Sequence, residues 1–313
     1  MGSGGVCGGA GGCGLDLAIQ DEHRGTEGYE HVHIENCWVP ETLIDSQGGT
    51  GYNALSMRQS GGEMVTEMTL DEWDLQFTRQ AGWTQATRAH LYRRANLLRA
   101  QRVLDVGSGT GAVTEELAAR TNGQVIGVDL DMPRVEYARA RGGRAEYRPG
   151  DAHDLPFPDA WFDVAACHFT LMWCRDAAKA AQELVRITRA GGAVLVCAEP
   201  DYGGRIDYPD LPLGGWQIAA LRREGADPCL GRRLRELFTL PEVRQVDLGV
   251  MPGLWDLATL RAESEAEWAL WERSLAGLVS PGELAQIKAT DLAAIESGSR
   301  LAFMPVFYAL VRV

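Results

Sequence analysis

The sequence predicts an α/β protein: a Rossmann-like, seven-stranded, mostly parallel sheet with helices on both faces, N-terminal lid helices and a C-terminal helical insertion. Two observations carry this expectation. Between about residues 100 and 200, short apolar runs of strand length alternate with helical patterns, the order that builds βαβ units. A glycine-rich turn, Gly107-Ser-Gly-Thr-Gly111, joins the first of those strands to its helix. In open α/β sheets that turn lies where ligands bind, outside the carboxyl ends of the strands.

The elements follow in order. Thr69 and Glu72 form a capping-box pattern. Trp73, Phe77 and Ala81 recur at i, i+4 and i+8, and Leu91, Ala95 and Leu98 repeat the pattern, so two helices are expected between 69 and 98. Strands are expected at 102–106, 124–129, 145–148, 162–167 and 193–198. Helices are expected at 113–120, at 133–140 with Pro133 near its start, and at 177–187, the last ended by Gly191-Gly192. After Pro200 the pattern loosens. Helices are expected near 217–224 and at 231–238, 260–275 and 281–297, with strands at 243–250 and in the terminal FMPVFYALVRV. Two late strands after five parallel ones suit an antiparallel edge.

Residues 1–65 read differently. The opening MGSGGVCGGAGGCG can bury little. The segment holds nine acids against two bases, so it carries −7 of the chain's net −13. It is expected to be a flexible Gly-rich acidic extension, with one short strand at His31-Val32-His33-Ile34. Residues 66–313 form the second unit, with lid helices over 66–100 and a substrate-side insertion over 200–300. Cys7, Cys13, His31, His33 and Cys37 do not have a usual zinc spacing, and no metal is expected.

Composition excludes some partners. An acidic chain without a basic run is a poor ligand for phosphate backbones, so no nucleic acid is expected. No apolar run approaches the ~20 residues of a membrane span. The N-terminus lacks a basic region followed by an apolar one, so no signal peptide is expected. Seven cysteines, an odd and scattered number, suit a cytoplasmic protein better than a disulfide scaffold.

The chemistry centres on Val103-Leu-Asp-Val-Gly-Ser-Gly-Thr-Gly111. Glycines let the backbone turn sharply and approach a ligand, and the helix start offers unpaired N–H groups. Asp129 closes the second strand, 18 residues after Gly111, where an acid can accept ribose hydroxyls. Gly107-x-Gly109-x-x-Ala112 also satisfies the dinucleotide fingerprint. Asp105 tilts the choice, because a carboxylate inside the turn repels a pyrophosphate but can hold an ammonium. Asp151 follows the third strand and can receive an adenine amino group. Helices before the motif can form a lid.

With VLDVGSGTG, the acid Asp129, GDAHDLPFPDAWFDVAACHF and the RITRAGG turn, the chain resembles the class I S-adenosylmethionine (SAM)-dependent methyltransferases. It is most similar to the branch with quinone-biosynthesis and small-molecule enzymes. The resemblance covers roughly 69–200. It implies SAM as cofactor and methyl transfer to an O, N, S or C nucleophile of a small-molecule acceptor by in-line SN2 displacement. It further implies that Asp105 and Gly107, in the loop with Gly109 and Gly111, contact the methionine part of SAM. Asp129 would bind the ribose, Leu130 would flank the adenine, Asp151 and Ala152 would bind its edge, and His168 and Phe169 would line the methyl end.

Other candidates keep two readings. Trp83 either packs over the sulfonium or fills the lid. His168 is either a general base or a satisfied histidine at a strand end. Asp201 and Tyr202, in the loop after the fifth strand, either touch substrate or belong to a solvated loop. His153 and Asp154 read as loop residues. Two other functions fit the same loop: an NAD-dependent oxidoreductase, and a non-catalytic protein that binds SAM or a partner.

Overall fold

The computed structural model describes residues 68–313. The expected extension over 1–65, its strand at 31–34 and the cysteines and histidines within it lie outside the described residues.

The described chain opens with α1 (Leu70–Arg94), started by a complete capping box. Glu72 N–H donates to Thr69 Oγ1 (3.2 Å), and Thr69 N–H donates back to Glu72 Oε2 (2.8 Å). One helix stands where two were expected. Gly82 is the sole glycine in this stretch, and no proline interrupts it. A lone exposed glycine weakens a helix by about 1 kcal/mol without breaking it. The break comes later, at Asn96 in the left-handed conformation (φ 55°), before a single 3-10 turn at Leu97–Arg99.

The alternating section then runs β1 (Arg102–Val106), α2 (Ala112–Arg120), β2 (Gln124–Asp129), α3 (Met132–Arg141), β3 (Glu146–Pro149), β4 (Phe162–Cys167), α4 (Ala177–Ile187) and β5 (Thr188–Pro200). Strand β5 is longer than the 193–198 expected, because the Gly191-Gly192 turn is absorbed as an irregularity in its pairing with β4. The remainder holds β6 (Ile206–Tyr208), α5 (Leu213–Arg223), α6 (Leu234–Leu237), β7 (Gln245–Val250), β8 (Leu254–Trp255), α7 (Leu257–Ser274), α8 (Pro281–Ser297), β9 (Leu301–Phe303) and β10 (Val306–Arg312).

Seven strands form one sheet in the order β3-β2-β1-β4-β5-β10-β7. The first five are parallel, and β10 runs antiparallel between β5 and β7. The order reverses at β1, so the carboxyl ends of β1 and β4 border the crevice where such sheets hold ligands. Side chains alternate across the strands and fill two cores. On one face Leu104, Val106, Ile126, Val128, Ala165 and Val196 meet α4 and α6. On the other Val103, Val125, Val164, Ala166 and Leu195 meet Leu91 of α1 and Leu117 of α2.

The insertion has its own core, where Leu213 and Ala220 of α5 pack on Trp268 and Trp271 of α7. A second sheet, β6-β9-β8, underlies it. These strands are two or three residues long, too short to leave a periodic signal in the sequence. A buried chain of charges braces the insertion. Arg205 pairs with Asp207, Asp207 with Arg300, and Arg300 with Asp291, which also accepts from Trp268 Nε1 at 2.9 Å. No helix among the described residues is long and apolar enough to cross a membrane.

Candidate functional site

The turn between β1 and α2 is built on three glycines with positive φ: Gly107 (75°), Gly109 (53°) and Gly111 (97°). The backbone needs that conformation, and the space is closed to side chains as well. A Cβ on Gly107 would run into the Thr170 side chain, one on Gly109 would stand 3.0 Å from the Phe77 ring, and one on Gly111 would strike Tyr147. Gly107 N–H and Ser108 N–H both donate to Val128 O, at 2.8 and 3.0 Å, which fastens the loop to the end of β2.

Two carboxylates serve the loop from below and from the side. Asp105 is 1% exposed, and its Oδ2 accepts from Thr114 Oγ1 at 2.6 Å. Burial pushes its carboxyl up to about 7, against the pull of the Thr114 hydroxyl and with help from the nearby Asp129 charge. The group therefore lies beneath the loop rather than on an open wall. Asp129 accepts from Gly109 N–H through Oδ2 (2.8 Å) and from Asp131 N–H through Oδ1 (2.9 Å). Burial raises its carboxyl, and those two N–H bonds oppose the rise. Leu130 beside it is 51% exposed.

Asp151 joins this group through the backbone, since Gly150 N–H donates to Asp129 O at 3.0 Å. Its Oδ1 accepts from His153 N–H (2.9 Å) and meets His153 Nδ1 at 2.6 Å. Burial works to raise the Asp151 carboxyl, but the two His153 bonds, with Arg175 beyond them, hold it below the ordinary range. His153 Nε2 in turn accepts from Asp176 N–H at 3.2 Å, at the start of α4. His153, which read as a loop residue, thus orients Asp151. A histidine two positions after the acid was the available signal. Ala152 is half-buried against the core.

After β4 the chain makes a sharp turn through His168, Phe169 and Thr170. Phe169 has φ 51°, a costly value for a residue with a side chain. The turn is held by Glu199 at the end of β5, whose carboxylate accepts from the N–H groups of Thr170 (2.9 Å), Leu171 (2.7 Å) and Met172 (3.2 Å). Burial pushes Glu199 up to about 7 against those three bonds. Thr170 Oγ1 donates to the carbonyls of Val106 and His168, both at 3.1 Å, which brings the turn onto the glycine loop.

Helix α1 reaches over both. Its Phe77 ring lies against Gly109, and Arg134 of α3 stacks on Trp73 and Phe77 (5.0 and 5.4 Å). One side of the same helix carries Thr84, whose hydroxyl lies 2.8 Å from His168 Nε2. Phe77, read from the sequence only as a packing residue, is therefore part of the site's roof. Trp83 faces the insertion instead. Its ring meets Trp255 at 5.2 Å, Arg79 lies 5.7 Å from it, and its buried Nε1 has no partner.

Asp201 and Tyr202 stand further along the same edge. Asp201 accepts two bonds from Arg232 (2.6 and 2.7 Å) and one from Gly203 N–H (3.1 Å). Tyr202 is half-buried against the sheet core, and burial lifts its phenol to about 12. No described side-chain bond links either to the glycine loop. A cavity of about 440 Å³ between α7 and α8, and one of about 180 Å³ beside Asp176 and Arg233, include no residue of that loop. No cluster of metal-ligating side chains occurs among the described residues.

Residues 104–196 match the methyltransferase domain family. Demethylmenaquinone methyltransferase of Roseiflexus castenholzii is 40% identical over 136 residues, which cover 41% of this chain and 56% of that protein. Malonyl-[acyl-carrier protein] O-methyltransferase of Erwinia billingiae is 34% identical over 119 residues, 38% of this chain and 47% of the relative. The chain thus spans about half the length of these curated relatives. Among solved structures, phosphoethanolamine N-methyltransferase 2 of Haemonchus contortus, determined with phosphomonomethylethanolamine and S-adenosylhomocysteine, shares the fold. The TM-score is 0.50 at 17% identity, over 75% of this chain and 57% of that one.

Proposed function

We propose that this chain carries a class I SAM-dependent methyltransferase domain and that it transfers the methyl group of SAM to a nucleophilic O, N, S or C atom of a small molecule. The single observation that carries the reading is the glycine loop with Asp105 beneath it and Asp129 on its flank. A pyrophosphate over Asp105 would meet a buried carboxylate, whereas an ammonium relieves that charge. This disfavours a dinucleotide.

The residues fit the cofactor in three ways. The loop is a cradle that a Cβ would fill. Ser108 Oγ and Thr110 Oγ1 are buried within it without partners. The acids Asp105, Asp129 and Asp151 lie in sequence along the ends of β1, β2 and β3. In this reading Asp105, with Gly107, Gly109 and Gly111, holds the methionine end, and Asp129 accepts ribose hydroxyls. Leu130 flanks the adenine, Asp151 and Ala152 take its edge, and His168 and Phe169 border the methyl end. Bound SAM supplies an electrophilic methyl on a sulfonium. The protein's part is alignment and exclusion of water, which α1 serves by covering the loop. Trp83, Asp201 and Tyr202 lie on the acceptor side, toward the insertion.

The related enzymes named above act on a menaquinone precursor and on an acyl-carrier-bound malonyl group. We propose a small-molecule acceptor for this chain as well, a cytoplasmic setting, and a catalytic unit over 66–313 that does not need residues 1–65. The test is transfer of label from methyl-labelled SAM to a panel of phenols, amines, thiols and carboxylates. Transfer to any member supports the proposal. Binding of SAM with no transfer to a broad panel favours a non-catalytic role.

A further inference from the structure

Arg88 is a cation in the core, its side chain 2% exposed. Its Nε donates to Glu116 Oε2 of α2 at 2.9 Å, and its Nη2 pairs with the same oxygen. Its Nη1 donates to Ala81 O at 2.7 Å and to Thr84 Oγ1. Thr84 Oγ1 then lies 2.8 Å from His168 Nε2.

We propose that Arg88 and Thr84 are positioning residues that hold His168 as the neutral Nδ1–H tautomer, so that the imidazole serves the site as a hydrogen-bond donor and not as a base. A guanidinium can only donate. The Thr84 oxygen therefore accepts a hydrogen bond from Arg88 and has one proton of its own to place. The candidates are His168 Nε2 at 2.8 Å and the carbonyls of Gln80 and Ala81, both at 3.3 Å. Distance favours the histidine. Electrostatics favours it again: the Nε2 lone pair then faces the Arg88 cation, whereas an Nε2–H would point its positive end toward that cation. With Nε2 accepting, the ring proton is on Nδ1. Nδ1 makes no bond to another described residue; the Phe169 ring packs edge-on against the imidazole, with ring centroids 4.5 Å apart.

The surrounding charges keep the ring neutral. Burial and then the Arg88 charge push the imidazole down to about 3. Glu116 lies behind Arg88 and is engaged with it and with Arg120. Asp105 of β1 bonds Thr114, and Glu199 of β5 bonds the 170–172 amides, so neither carboxylate bonds the imidazole. The acceptor then loses its proton to another group or arrives without one.

The role given to the ring rests on the methyl-transfer reading, but the tautomer does not. The experiment is long-range proton–nitrogen NMR of the histidine rings in the 15N-labelled full chain, without cofactor. The His168 signal is assigned by its loss in His168→Gln. The expected result is an Nδ1–H pattern that does not change between about pH 5 and 8. Thr84→Val should lose the pure Nδ1–H pattern and show a share of Nε2–H in a ring that stays neutral over that range, because burial and the Arg88 charge are unchanged, and Thr84→Ser should restore the wild-type spectrum. An Nε2–H pattern in the wild type, or titration near the ordinary histidine midpoint, overturns the proposal. A Thr84→Val spectrum identical to wild type overturns the part assigned to Thr84. Titration calorimetry with SAM on the same samples reports separately on the cofactor reading.

Discussion

Replacing Asp105 with Asn should make the protein more stable and a poorer binder of SAM. The change keeps the side chain's shape and its bond from Thr114, and removes only the buried charge. The sign follows from the raised carboxyl. Folded Asp105 ionises at about 7 and the unfolded chain near 3.8. The folded protein thus holds a proton that the unfolded chain has already released, and stability falls as pH rises through that window, levelling off above about 7. The full difference corresponds to about 4 kcal/mol, of which about 2 kcal/mol remains to be lost above pH 5.5. Glu199 and Glu267 are also raised to about 7 by burial, but both proteins contain them, so their contributions cancel in the comparison. The assay is denaturant unfolding of both proteins, without ligand, at about pH 5.5 and pH 8. The advantage of Asp105→Asn should grow by about 2 kcal/mol between the two. SAM affinity should move the other way, weakening by roughly 1–3 kcal/mol as a charge-assisted contact is lost. An advantage that is independent of pH, or a variant less stable than wild type at the higher pH, would refute the buried-charge argument.

Further predictions concern the same site. Asp129→Ala should weaken SAM binding by roughly 1–3 kcal/mol through lost hydrogen bonds, measured by calorimetry; unchanged affinity removes the ribose assignment. Gly109→Ala combines a positive φ with a Cβ 3.0 Å from Phe77, and should lower SAM affinity and loosen α1 at a cost of about 1–2 kcal/mol, read by calorimetry and by amide exchange in α1. Once an acceptor is in hand, His168→Gln should reduce kcat by about tenfold or less, because glutamine still offers a neutral N–H. Loss of a general base would instead cost about 10²–10⁴-fold. Deleting residues 1–65 should leave SAM affinity unchanged, and loss of binding would place part of the site in that segment.

The sheet was legible because its strands are buried and its turns are marked. Arg102–Val106, Gln124–Asp129 and Phe162–Cys167 stand where their apolar runs put them, and Ala177–Ile187 spans the expected helix. The antiparallel edge followed from two late strands, and β10 between β5 and β7 supplies it. What the sequence concealed depended on contacts distant along the chain. The helix α1 looked like two because its apolar pattern shifts, whereas its continuity rests on packing against α2 and β5. The small sheet of β6, β8 and β9 has strands too short for a period. The site divides in the same way. The loop and its acids declared themselves through spacing. The parts played by Phe77 and His153 appeared only when α1 met Gly109 and when the turn after β3 met α4. Thr84 and Arg88 gave no local sign at all, since they act across 84 residues on His168 and 28 on Glu116.

The most direct test of the central claim is titration calorimetry of the full chain with S-adenosylhomocysteine and, in parallel, with NAD. A single saturable site for S-adenosylhomocysteine, weakened in Asp129→Ala, is the expected result, with no measurable heat of binding for NAD. Tight NAD binding with none for S-adenosylhomocysteine would contradict that claim.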